Sequence, residues 1–333
     1  MKKNINIVFC GTSDFAIKPL LLLVNNIDSD YNFNIKLVIT QPDKPSGRNL
    51  KITFSDFKKA VINNQLPILQ PENINDIEVI NYIKSLNPDI LITVAYGGYI
   101  GKELRTMCPL GAINLHPSLL PLHRGADPIR STLINQNDFT GNTIFFIASK
   151  IDSGNIICQT KYNIYDFKER INYTDLSDYL STNGAEDIVK SIKILEMKRN
   201  RFKDLKDLFP VQNEELATYT KKITESSNIA NFNLNAEEFL ANVYAYSLEP
   251  GYYCYFRNKR LKILKAEIYE RINNDDYPIV KLIIKKLGFV ISLKDVDLLV
   301  KTVQYEGKKI MSSSDFINGI RMEIGEKFEN IKY

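Results

Sequence analysis

The chain has 333 residues, 44% hydrophobic and 25% charged, with 43 Lys and Arg against 39 Asp and Glu for a formal charge of +4. That is the balance of an ordinary globular protein, long enough for two domains with substantial cores, and its charge is too small to argue by itself for a nucleic-acid partner. The four cysteines, Cys10, Cys108, Cys158 and Cys254, stand far apart without a CxxC pair, and there are only two histidines, so neither a disulfide framework nor a metal is expected. No run of about 18 apolar residues occurs, so no membrane span is expected. A first strand that begins almost at Met1, without a leader's apolar core, is expected of a cytoplasmic protein.

Residues 5–10 are predicted as a strand and 15–25 as a helix. A strand at 34–40, helices at 56–64 and 76–85, and strands at 89–94 and 112–115 follow. Strands alternating with helices argue for a mostly parallel, helix-covered sheet of the α/β class. Residues 143–147 and 155–161 are predicted strands around a turn that holds Asp152-Ser153-Gly154. The longest helical pattern, 176–198, is interrupted by Gly184. A basic run, Lys198-Arg199-Asn200-Arg201-Phe202-Lys203, and then Pro210 mark 199–213 as a linker between a domain at 1–198 and a second at 214–333. In the second, a helix at 236–245 precedes strands at 251–256, 261–267, 279–287, 289–293 and 298–303. Short strands without helices between them suggest a small barrel or sandwich.

The densest chemistry lies in Asn114-Leu115-His116-Pro117-Ser118-Leu119-Leu120-Pro121, followed by Arg124-Gly125-Ala126 and, later, Ile151-Asp152-Ser153-Gly154. Alternate residues of a strand share a face, so Asn114 and His116 point the same way, about 6–7 Å apart. An amide and an imidazole then stand together at a strand end, where open α/β sheets bind ligands. Other chemistries are disfavoured. Gly11-Thr12-Ser13-Asp14-Phe15-Ala16 follows the first strand but lacks the second and third glycines of GxGxxG, so a pyrophosphate has no close backbone approach. There is neither a GxxxxGK[ST] loop nor a GxSxG elbow, and Ser118 sits between prolines.

With the run from Arg124 to Ile129 and Thr140-Gly141-Asn142-Thr143-Ile144, these motifs stand in an order and spacing that resembles the folate-dependent formyltransferases, and among them the methionyl-tRNA formyltransferase family. The likeness runs from Phe9 to Lys309. It implies a Rossmann-like catalytic domain followed by a smaller OB-like β-barrel, and a catalytic set of Asn114, His116 and Asp152. The implied reaction transfers a formyl group from 10-formyltetrahydrofolate, as cosubstrate, to the amine of charged initiator tRNA, catalysed by a monomer. Such a transfer needs a proton acceptor for the attacking amine and a donor for the tetrahedral oxyanion. His116 suits the first and Asn114 the second. Asp152, which the resemblance places beside His116, would favour the imidazolium. Ser118, Leu119, Leu120 and Pro121 would form one wall of the folate pocket, and Ala95, Tyr96 and Gly97 a second.

For the tRNA, the resemblance points to Arg48 and Lys51 in the loop that opens Thr40-Gln41-Pro42-Asp43. Lys221, Lys222, Lys262, Lys308 and Lys309 would grip the backbone farther away. From Val211 onward the chain holds eighteen Lys and Arg against seventeen Asp and Glu, so that grip would rest on local clusters. Tyr252, Tyr253 and Tyr255 beside them offer candidate stacking surfaces. Some positions depart from the family's pattern. Asn155 replaces the usual aspartate after the DxG turn, His123 stands where Trp or Tyr is common, and the loop past Arg48 loses a glycine and a basic residue. A formyltransferase acting on an amino-sugar nucleotide shares the central block and is the alternative. The 217–223 and 304–309 stretches resemble the tRNA enzyme instead.

Overall fold

A computed structural model describes residues 2–330 except 26–27, 47–50, 200–204, 222, 225 and 273–275. They form two packed units. In the first, a seven-stranded sheet contains β1 (Lys3–Gly11), β2 (Tyr31–Ile39), β5 (Ile68–Leu69), β6 (Ile90–Val94), β7 (Ala112–His116), β8 (Phe139–Phe146) and β9 (Ile156–Asn163). A two-strand hairpin, β3 (Pro45–Ser46) and β4 (Lys51–Ile52), stands apart from it. The strand order is β5-β2-β1-β6-β7-β8-β9. The first five are parallel, and β8 and β9 are antiparallel. The parallel core carries helices on both faces, so its strands must be apolar on both sides, and every residue of β6 is buried. On one face Ile5, Ile7 and Phe9 pack with Leu20 and Leu23 of α1 (Ile17–Asn25) and with Ile188, Ile192 and Leu195 of α6 (Tyr173–Lys198). On the other, Val8 and Cys10 pack with Ile80 and Ile83 of α3 (Ile77–Ser85) and Leu104 of α4 (Lys102–Thr106). That core follows the period-two alternation of β1.

The predicted elements of this unit recur with boundaries moved by a few residues. The helix α2 (Asp56–Asn63) starts where the Ser55 side chain accepts a bond from Lys58 N, an N-cap. Two helices lacked a legible pattern, α4 in this unit and α5 (Pro128–Ile134), nearly all of which belongs to the second, both too short to establish a period. Gly184 does not interrupt α6. It lets the helix lie close to β7, because a Cβ there would come within 2.7 Å of a Leu115 methyl. The described part of the expected linker, Arg199 and residues 205–213, belongs to this unit, as do residues 214–220. Leu205 and Phe209 pack in its core, which anchors the segment by apolar burial.

The second unit takes 129–138, 164–176 and the chain from Lys221 onward. Helix α7 (Ala236–Ala245) opens with a capping box between Asn235 and Glu238. The antiparallel strands β10 (Tyr252–Phe256), β11 (Lys259–Glu270), β12 (Val280–Ile284), β13 (Gly288–Ser292) and β14 (Asp297–Tyr305) are ordered β10-β11-β14-β13-β12, with β15 (Ile310–Ser312) on β14. One C-terminal segment bonds to both edges of this sheet. Glu329 exchanges backbone bonds with Tyr255 of β10, and Val280 of β12 bonds to Glu326 and Gly325. Both edges are thereby paired and the sheet closes as a barrel. Phe256, Phe289 and Phe328 fill it together with Phe316 of α8 (Ser313–Ile320), a short helix that the sequence pattern did not reveal.

Candidate active site

The strand order reverses between β1 and β6, since β2 lies on one side of β1 and β6 on the other. Open α/β sheets form their ligand crevice at such a point, outside the carboxyl ends of the strands. The loops after β6 and β7 leave from that edge. After β6, Ala95 is exposed with φ +45°, while Tyr96 is buried and its carbonyl accepts a 2.9 Å bond from Thr12 Oγ1. Burial pushes the Tyr96 phenol well above its ordinary value, so it remains neutral.

At the end of β7 the structure brings Asn114, His116 and Asp152 together. Thr93, the register partner of Asn114 on β6, donates its hydroxyl to Asn114 Oδ1 at 2.6 Å. The carboxamide oxygen is thereby engaged, and Nδ2 has no bonded partner among the described residues. His116 is buried, and its Nε2 bonds to the His123 carbonyl at 2.9 Å. A carbonyl only accepts, so Nε2 carries the proton and the neutral ring keeps its lone pair on Nδ1. That Nδ1 faces Asp152 Oδ2 at 3.7 Å. Asp152 in turn accepts a 2.7 Å bond from Gly125 N and sits in the left-handed region with φ +47°. The site therefore combines an amide donor, an imidazole acceptor and a carboxylate that can pair with the ring once it takes a proton.

The loop after His116 is braced from within. Ser118 is buried, and its hydroxyl donates to the Leu122 carbonyl at 2.6 Å, so this side chain shapes the loop. Thr143 Oγ1 donates to the Ser118 carbonyl and accepts from Leu120 N. Gln159 Nε2 donates to the Leu120 carbonyl. Leu120 is buried, Leu119 and Pro121 are half-buried, and the Leu120–Pro121 peptide is cis.

Arg124 is fully buried, where a guanidinium must be paired. Its Nη2 donates to Gln212 Oε1 at 2.8 Å and Glu214 Oε1 at 2.7 Å, and its Nη1 to the Tyr219 hydroxyl at 3.3 Å. Arg124, then Lys150, holds the Glu214 carboxyl down from its ordinary 4.5 to about 2. A depressed carboxylate stabilises the folded state above its ordinary value and loses that contribution as pH falls through its folded value. Glu214→Gln should accordingly flatten the pH dependence of stability between about 4.5 and 2, read by urea unfolding at stepped pH. An unchanged profile would count against the pair.

The Asn155 departure has a structural reason. Its Nδ2 donates to the carbonyls of Lys206 and Phe209, each at 3.0 Å. An aspartate has no hydrogens to give and would set charge against two carbonyl oxygens. Asn155→Asp should cost about 1–3 kcal/mol of stability, and an unfolding midpoint equal to wild type would refute the role. His123 contributes its backbone carbonyl to His116, a part that side-chain identity does not reveal. The four thiols are buried, and burial pushes those of Cys108 and Cys254 up to about 12.

Among the expected tRNA contacts, Arg48 and Lys222 lie outside the described residues, as does the side chain of Lys51 on β4. Lys221 is exposed. Lys308 and Lys309 are exposed in the turn between β14 and β15. Lys262 on β11 pairs with Glu249 at 3.2 Å. Tyr252 and Tyr253 are buried and serve as packing. Tyr255 is half-buried against Tyr253, with ring centroids 5.8 Å apart. Two positions escaped the sequence reading. Thr93 is an unremarked strand residue until β6 and β7 are paired, and Gln212 sits in a polar stretch beside Pro210 that carries no local signal of burial.

Residues 3–184 match the family described as Formyl transferase, and residues 222–321 match Formyl transferase, C-terminal domain. A methionyl-tRNA formyltransferase of Sulfurihydrogenibium sp. is 35% identical over 325 residues, 97% of this chain and 99% of that protein. One of Dictyoglomus turgidum is 36% identical over 328 residues, again 97% and 99%. The structure of HypX from Aquifex aeolicus in complex with tetrahydrofolic acid superposes with a TM-score of 0.61 at 13% identity. It is covered over 96% of this chain but only 48% of that one, and it bears on the fold alone. With both domain matches and relatives this similar over nearly the whole length, the chain belongs to the methionyl-tRNA formyltransferase family.

Proposed function

We propose that the chain transfers the formyl group of 10-formyltetrahydrofolate to the α-amino group of methionyl initiator tRNA. The observation that carries this reading is His116 Nδ1 lying 3.7 Å from Asp152 Oδ2 at the end of β7, on the strand that also carries Asn114 two residues earlier. The amine attacks the formyl carbon, and the carbonyl pair becomes an oxyanion that Asn114 Nδ2 stabilises by a hydrogen bond. His116 Nδ1 takes the amine proton, and the imidazolium then pairs with Asp152. Collapse re-forms the carbonyl and breaks the bond to folate nitrogen, which receives the proton back from His116. The loops at 95–97 and 118–121 would hold the folate. Arg48, Lys51, Lys221, Lys222, Lys262, Lys308 and Lys309 would hold the tRNA.

The test offers the purified chain 10-formyltetrahydrofolate with charged initiator tRNA, charged elongator tRNA, an amino-sugar nucleotide or water alone. Formylated methionyl initiator tRNA is the expected product. Formylation of the sugar alone would replace this reading with the amino-sugar alternative, and formate alone would indicate a hydrolase.

For the grip on tRNA, Lys308→Glu with Lys309→Glu should weaken affinity and reduce the slope of log affinity against log salt by about 2. A titration with an unchanged slope would remove both lysines from the interface.

A further inference from the structure

We infer that Gln212 is a positioning residue for the reaction, acting through Asp152; this rests on the catalytic reading of Asp152. Gln212 is buried and uses all the hydrogen-bonding capacity of its carboxamide. Its Nε2 donates to the carbonyls of Asp152 and Gly154, both at 2.8 Å. Its Oε1 accepts from Arg124 Nε at 3.1 Å and Nη2 at 2.8 Å. The backbone of Asp152 is in a conformation that non-glycine residues seldom adopt, and such a residue persists only where its surroundings hold it. Gln212 grips that backbone, while Gly125 N grips the carboxylate of the same residue. Arg124 stands next to Gly125 in sequence and bonds to Gln212. One carboxamide thus ties together the two loops that fix Asp152 opposite His116.

Gln212→Met, near in shape and without polar groups, should lower kcat about 10–100-fold and shift KM for either substrate less than about 3-fold. Gln212→Glu keeps an acceptor for Arg124 but cannot donate to the two carbonyls; checked as folded by circular dichroism at the assay temperature, it should show the same loss of kcat. In an Asp152→Asn background the effect of either substitution should shrink to less than about 3-fold, because residues acting as one unit are not additive. A kcat within 3-fold of wild type in the folded Gln212→Glu variant would overturn the proposal. So would an equal loss with and without Asp152. If Asp152→Asn alone keeps wild-type turnover, the catalytic reading of Asp152 fails instead, and the two failures are told apart.

Discussion

His116→Ala and Asn114→Ala are each expected to lower turnover by about 10²–10⁴-fold while folate binding survives. On the proposed mechanism the two side chains serve different steps. Without His116 the amine proton would have to go to water or to the Asp152 carboxylate, a weaker base than imidazole. On the same proposal Asn114 is the neutral donor to the oxyanion, since the Thr93 hydroxyl engages its carboxamide oxygen at 2.6 Å and leaves Nδ2 to donate. Neither change should unfold the chain, because the core of β7 is made by Ile113 and Leu115. Single-turnover rates with charged initiator tRNA, together with folate binding by fluorescence, separate the chemical step from binding. Turnover within a few fold of wild type in both variants would reject the assignment.

Gly154→Ala should destabilise the first unit by at least about 3 kcal/mol. The reason is space. A Cβ on Gly154 would lie 1.6 Å from the Phe146 carbonyl oxygen and 2.8 Å from its carbon. Backbone cannot swing aside as a side-chain tip can, and this backbone is held in place, since Phe146 N donates to the Asn155 carbonyl at 3.0 Å. The chain would have to open the junction of β8 with the turn that carries Asp152. Activity should therefore fall along with stability. Thermal unfolding within a degree or two of wild type would show that the turn yields more readily than this.

What the sequence determined by itself was set by short-range periodicity and local stereochemistry. Period-two alternation put Asn114 and His116 on one face of β7, and the strand–helix alternation of the first half implied a mostly parallel sheet. Residues 236–245 were legible as a helix to the residue, and the structure adds the Asn235–Glu238 capping box that fixes its start. Elements without a period, such as the five residues of α4 and the eight of α8, were not legible, since so few turns cannot separate a helix from a loop. The surroundings of the site came only from tertiary structure. Asp152 reaches His116 because β8 runs back antiparallel beside β7, and only strand pairing sets that. Thr93 becomes a partner of Asn114 only once β6 and β7 are in register. Gln212 lies 60 residues along the chain from the carbonyl it holds, in a stretch that reads as a linker from composition alone. Its burial depends on Leu205 and Phe209 packing into the core of the sheet. A hydrogen bond across such a separation leaves no local pattern, because its loop-closure cost is offset by apolar contacts elsewhere in the unit and not by the residues that form it.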